Sequence, residues 1–136
     1  MRLAALSPRF IRHKVEKAEK YHGRLAADGL IQWGGFDTDC LHDLKTLADA
    51  QGIWFDCPKC TVANNGPTGT HGVLVWFEGR GAPERLGRNK DGQTVRWVVS
   101  GTNMDDLKLS PSIALQGGCN WHGFIGKDIP GEVTEA

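Results

Sequence analysis

Hydrophobic and polar positions change rhythm near residue 52 of this chain. Before it, many apolar residues recur every three or four positions, the spacing of one helix face. After it, they come in short runs rich in Val, Ile, Trp and Phe. The first rhythm predicts two helices. Ser7-Pro8 supplies a start, with Ser7 as cap and Pro8 in the first turn. Phe10, Ile11, Val15, Ala18, His22 and Leu25 then share a face, and Asp28-Gly29 supplies a stop. The stretch Phe10-Ile11-Arg12-His13 reads equally well as a strand. Leu30 to Phe36, with Gly34-Gly35 inside it, reads as a strand running into a turn. Asp37 or Thr38 caps the second helix. Leu41, Leu44, Leu47 and Ala48 form its buried stripe, and Gly52 ends it.

The second rhythm predicts strands at Ile53–Asp56, Gly72–Glu78, Thr94–Ser100 and Leu107–Leu115. Turn-forming stretches separate them: Asn64-Asn65-Gly66-Pro67, residues 79–92 and Ser100-Gly101-Thr102-Asn103. Trp54, Trp76 and Trp97 each sit within a strand and read as core, since large aromatics bury much area. Pro111 has no N–H to give a ladder, so the fourth strand is an edge or carries a bulge. Residues 79–93, rich in Gly and charge, read as the most mobile loop.

Charge changes this picture little. The chain of 136 residues balances 16 basic against 16 acidic side chains, so net charge points to neither nucleic acid nor a membrane surface. Residues 1–28 hold a surplus of basic groups, seven against three, which reads first as a solvated helix face and second as a docking patch. No apolar run approaches the roughly 18 residues of a membrane span, and the apolar start is too short for a signal-peptide core. The expected location is intracellular. There, clustered cysteines are more often metal ligands or redox groups than disulfides.

The cysteines carry the chemistry. Cys57-Pro58-Lys59-Cys60 is matched, after 58 intervening residues, by Cys119-Asn120-Trp121-His122. Each pairs two soft or borderline ligands across a two-residue spacer, the spacing that turns both side chains toward one ion. Pro58 presets part of the first turn. Gly117-Gly118 and Gly123 let the backbone wrap closely around the second. The expected site is therefore one structural Zn2+ per chain held by Cys57, Cys60, Cys119 and His122. Unligated thiols are the plain alternative. A redox pair is another, but it wants the motif at a helix start, and helix signals are missing after Cys60. Cys40, on the predicted second helix, reads as a small buried hydrophobe, with substitution for His122 as its sharper role. His71 reads as a surface or strand-end histidine, with metal ligation or ligand support as its sharper role.

The expected fold is α+β. It has a small antiparallel, zinc-ribbon-like core over 53–133, a helix over 37–52 and a basic, variable, helical segment over 1–36. All lie in a single domain.

Catalytic signatures are missing. Four ligands close a zinc shell, whereas catalytic zinc keeps a position open. No H-x-E or H-E-x-x-H stands in the chain, nor a G-x-S-x-G elbow or a phosphate-binding glycine loop.

The segments "LADAQGIWFDCPKC", "GTHGVLVWFEGRG", "RWVVSGTNMDDLKLSPSI" and "GGCNWHGFIGKDIPGEV" together resemble a family of small uncharacterised proteins of tailed bacteriophages and prophages. The resemblance spans about Leu47 to Val133, weakens near "LSPRFIR", and departs over Lys14 to Phe36. It implies ligands at Cys57, Cys60, Cys119 and His122, and a phage origin. It implies no activity. The expected function is a non-enzymatic protein-interaction module or virion accessory (head, neck or tail), with a phage structural protein or a host protein as partner, in the host cytoplasm or the particle. A nucleic-acid-binding zinc ribbon and a zinc-dependent hydrolase are the two alternatives.

Overall fold

A computed structural model describes residues 1–17, 24–25, 31–32 and 37–136. It is built almost wholly of antiparallel β-structure, and the expected α+β architecture is wrong. The chain divides into two compact units, one of Met1–Arg12 with Asp43–Ala136, the other of His13–His42.

Among the described residues, neither expected helix forms. Leu3–Leu6 make one tight 3-10 turn that buries Leu3 and Leu6, and Ser7 follows in the left-handed region at φ 50°. From there β1 (Arg9–Lys17) is extended. Phe10 and Ile11 are consecutive and both buried, at 3% and 2% exposed. A strand buried on both faces explains this pair, because successive side chains point to opposite sides. Phe10 joins the main core. Ala18, His22 and the Asp28-Gly29 stop lie outside the described residues, as does the Gly34-Gly35 turn.

In the smaller unit β2 (Arg24–Leu25) pairs antiparallel with β3 (Ile31–Gln32). There β4 (Asp37–Leu44) replaces the start of the second helix, and His13 Nε2 lies 2.6 Å from Asp39 Oδ1. Within the expected leucine stripe only Leu47 is buried, while Leu41 is 43% exposed. The rest of that helix is a turn. Arg80 donates from one guanidinium nitrogen to the carbonyls of Leu47 and Ala50, at 2.9 and 3.0 Å. Those carbonyls are satisfied from outside rather than by a helical ladder.

The strands of the second half fare better. β5 (Gly52–Asp56) pairs with β1 on one side and with β6 (Gly72–Trp76) on the other, in the register Ile53↔Val75 and Asp56↔Gly72. Trp97 extends this sheet past β6, accepting from Glu78 N at 2.8 Å and donating to the Trp76 carbonyl at 3.0 Å. β7 (Val98–Ser100) and β8 (Lys108–Ser110) form a hairpin. At Pro111 the predicted fourth strand divides. β8 stays with β7, while β9 (Ile113–Ala114) joins β10 (His122–Ile125) and β11 (Val133–Glu135) in another sheet. Phe55, Phe77, Ile53, Leu107, Ile113 and Ile125 are fully buried between these sheets.

One helix is present among the described residues, α1 (Pro58–Ala63), and it begins inside the first cysteine pair. The reading that helix signals are missing after Cys60 is thus overturned. Pro58 stands at the first helical position, where its missing N–H costs nothing.

The start of the larger unit is fastened to its last residues. Leu3 N donates to the Gly131 carbonyl and Val133 N to that of Met1. Arg2 reaches the Asp105 and Pro130 carbonyls. The stretch 79–93, read from sequence as the most mobile loop, is tied to its neighbours by hydrogen bonds. Arg96 donates to the carbonyls of Pro83, Leu86 and Val95. Asn89 Oδ1 accepts from the amides of Asp91 and Gln93.

Candidate metal centre

Four side chains from three places in the chain converge at one end of the β5–β6 hairpin. Their ligand atoms, on Cys57, Cys60, His71 and Cys119, all lie within 4.8 Å of one another. Cys57 follows β5 and caps α1, and Cys60 sits one turn on. His71 immediately precedes β6, and Cys119 lies in the loop before β10. Cys57 is fully buried, Cys60 and Cys119 are half-buried and His71 is exposed. The centre is therefore backed by the core and open on one side.

The distances suit a metal. Zinc bonds of about 2.3 Å to sulfur and about 2.0–2.1 Å to nitrogen, arranged tetrahedrally, set about 3.8 Å between two sulfurs and about 3.5 Å between sulfur and nitrogen. Cys57 Sγ and Cys119 Sγ are 3.6 Å apart, and His71 Nε2 lies 3.3 Å from Cys119 Sγ. The three cysteines are unbridged thiols. The donor set and its spacing fit one ion.

Local backbone chemistry places each group. The Asp56↔Gly72 register puts Cys57 across from His71, and Cys57 N donates to the His71 carbonyl at 2.9 Å. Thr61 returns both its amide and its hydroxyl to the Cys57 carbonyl, at 2.9 and 2.7 Å. The amides of Lys59 and Cys60 face the Cys57 sulfur. Lys59 Nζ then bridges the two cysteine segments by donating to the Cys119 carbonyl at 2.7 Å. The second segment is a tight turn. Asn120 N donates to the Gly117 carbonyl, and Gly117 N donates back to Asn120 Oδ1. His71 is oriented through its other nitrogen, with Nδ1 3.1 Å from the Gly72 carbonyl. Donation from Nδ1 leaves Nε2 as the ligand atom, the usual support for a metal-bound imidazole.

His122 is not in the group, and this corrects the ligand set expected from spacing. Its Nε2 lies 2.9 Å from Ser112 Oγ. The reason is strand alternation. Trp121 points inward, 3% exposed, with its ring edge-on to Phe55 at 6.2 Å. The next residue, first in β10, must then face outward. His71 takes the fourth place. The signal for it lay in register: strands 53–56 and 72–78 are both legible, and pairing them as a hairpin sets residue 71 against residue 57. Cys40 lies in β4, half-buried, and is not one of the four.

Electrostatics follow from the same contacts. Burial is the main force pushing the Cys57 thiol up, to about 11. The hydrogen bond from His71 chiefly draws Cys119 down, to about 6, and the same bond raises His71. Cys119, half-buried, is thus a readier thiolate than Cys57.

Gly72, next to the histidine, is a sensitive point. A Cβ there would stand 2.0 Å from the Trp54 indole. Gly72→Ala is expected to cost about 1–3 kcal/mol by overpacking, read from denaturant midpoints. It should also weaken metal binding, because His71 moves with the strand.

No protein-family model, curated protein or solved structure matches this chain. Among the described residues, no helix is long and apolar enough to cross a membrane.

Proposed function

We infer that this chain is a small zinc-clamped β module in which the ion is structural and the protein acts by contact rather than catalysis. The observation that carries this reading is the composition of the centre: three cysteines and one histidine within 4.8 Å. Such a set saturates a tetrahedral ion and leaves no position for a substrate or an activated water. The hydrolase alternative requires three protein ligands and an open fourth position. The redox alternative gains from a helix that starts at the motif. It loses more from a third sulfur and an imidazole in the same cluster, and from an antiparallel hairpin where a βαβ unit would be needed.

The clamp joins α1, the start of β6 and the loop before β10. These segments already meet at the edge of the core, through Cys57, Val73 and Trp121, and the ion cross-links them in a unit small enough for such a staple to add useful stability. The test is metal analysis of protein purified without chelators, followed by cobalt(II) substitution. One ion per chain, with the visible bands of a tetrahedral thiolate site, is expected. A six-coordinate cobalt spectrum, or fewer than three thiolates bound, would dismiss a closed centre. Service in a bacteriophage particle rests on the sequence resemblance, and mass spectrometry of purified particles decides it.

A further inference from the structure

We propose that the cleft between residues 86–97 and 111–116 binds a base and its phosphate, as part of a short single strand or as a free nucleotide. The cleft has a volume of about 540 Å3 and is separate from the metal centre. Its walls are aromatic and aliphatic: half-buried Trp97 and Leu115 supply the accessible apolar surface, and Trp76, 3% exposed, lines it from the core side. Its rim is cationic, carrying Arg88 and Lys90, and no carboxylate lines it. This is the usual make-up of a ligand pocket: an apolar body with a few placed polar groups. It is also the combination that single-stranded nucleic acids require, a surface for the base and cations for the backbone.

Three features make the cleft a built site rather than a gap between loops. Trp97 is fixed by its indole N–H, which donates to the Ser112 carbonyl at 3.2 Å across the cleft. The basic rim is braced by Arg96, whose guanidinium is spent on the carbonyls of Pro83, Leu86 and Val95. Gly87 lets the rim lie against Trp76, since a Cβ there would come within 2.6 Å of the indole Cδ1.

Among the described residues, neither rim cation is committed elsewhere through its terminal nitrogens. Arg88 gives its Nε to the Glu84 carbonyl at 3.3 Å and has its terminal nitrogens left for a phosphate. Lys90 has no ion pair or hydrogen bond with a described residue. Two exposed cations over an apolar cleft, with no acid among its walls, favour an anion that carries a flat ring. The outer face of β10 continues the character. His122 and Phe124 are ring neighbours at 6.4 Å, and Lys127 Nζ stands 4.4 Å from the Phe124 ring centre.

The test uses the full zinc-loaded chain with labelled octathymidylate and with uridine monophosphate, followed by anisotropy and by tryptophan quenching. Expected is saturable binding with quenching, and a log–log salt slope of about −1.4 for two phosphates neutralised on a single strand. R88A/K90A should weaken binding by about tenfold or more, with unchanged circular dichroism and zinc content. Ala114→Glu, which puts a carboxylate on an exposed wall residue, should do the same without touching the core. Tighter binding of the oligonucleotide supports the proposal and identifies the source as a strand. Equal affinity for the mononucleotide supports it and identifies a free nucleotide. Three results overturn it: no binding of either probe at low salt, undiminished binding by R88A/K90A, or equal competition by a sulfated polysaccharide that carries no base.

Discussion

His71→Ala is expected to lower zinc affinity by more than about 100-fold, whereas His122→Ala leaves zinc content at one ion per chain. Even groups that only orient a ligand cost about 10–100-fold when removed, so losing a ligand must cost more. The geometry separates the two histidines sharply. His71 Nε2 faces the Cys119 sulfur at 3.3 Å, while His122 Nε2 faces the Ser112 hydroxyl. The second substitution gives up one exposed hydrogen bond, worth about 0.5–1.5 kcal/mol at most. Competition against a chelating dye reads both. His71→Cys is the control for a folding defect, because a fourth thiolate should restore tight binding. If His122→Ala loses the metal and His71→Ala keeps it, the centre is assembled differently from the structure.

Why sequence found three of these ligands and misplaced the fourth is a matter of distance along the chain. Cys57 and Cys60 are linked by local geometry alone, and a two-residue spacer announces them. Cys119 followed as the next cysteine with glycines beside it. The fourth ligand depended on which strand pairs with β5, which is a tertiary fact. The spacing of His122 from Cys119 copied the first segment, but Trp121 had already claimed the inward direction for the core.

The strands at 53–56 and 72–78 were legible because β-branched and aromatic residues cluster there between turn signals. The helices were misread because an apolar residue every three or four positions is weak evidence over short windows. Phe10 and Ile11 are buried on opposite faces of a strand, and Leu41 is not buried at all. The real helix, α1, is six residues long. It is too short for periodicity to show, and its cap makes no side-chain hydrogen bond that a Ser or Asp would have advertised. β10 and β11 were missed for a similar reason, at four and three residues.

Stripping the metal is expected to have the largest effect of any single change. Structural zinc sites bind with apparent free energies of about 10–16 kcal/mol at pH 7, and that energy is available to the fold. Free zinc held at 1,000 times its dissociation constant already adds about 4.1 kcal/mol. At a slope of about 1–3 kcal/mol per molar urea, chelator-treated protein should therefore unfold at about 1.4–4 M less urea, and adding zinc should restore it.

The pH dependence distinguishes this from a nonspecific salt effect. In the metal-free fold Cys57 keeps its proton up to about 11, because burial disfavours its thiolate. Cys119, paired with His71, has lost its proton above about 6. Zinc must then displace at least the Cys57 proton at neutral pH. Its affinity should rise about tenfold per pH unit for each proton released, and steepen below about 6, where Cys119 is protonated too.

The metal-free fold responds with the opposite sign at high pH. The Cys57 value lies above its ordinary 9.0, so the stability it contributes is complete below about 9 and is lost as pH rises through about 11. Cys119 is depressed from 9.0, so its contribution is present above about 9 and is lost as pH falls through about 6. Denaturant midpoints measured with zinc and with chelator should diverge between pH 9 and 11 as the metal-free form weakens, and converge in acid as the ion leaves. An indicator dye should register proton release when zinc is added at pH 7. Parallel curves across that range, with no protons released, would mean that the cysteines do not share an ion.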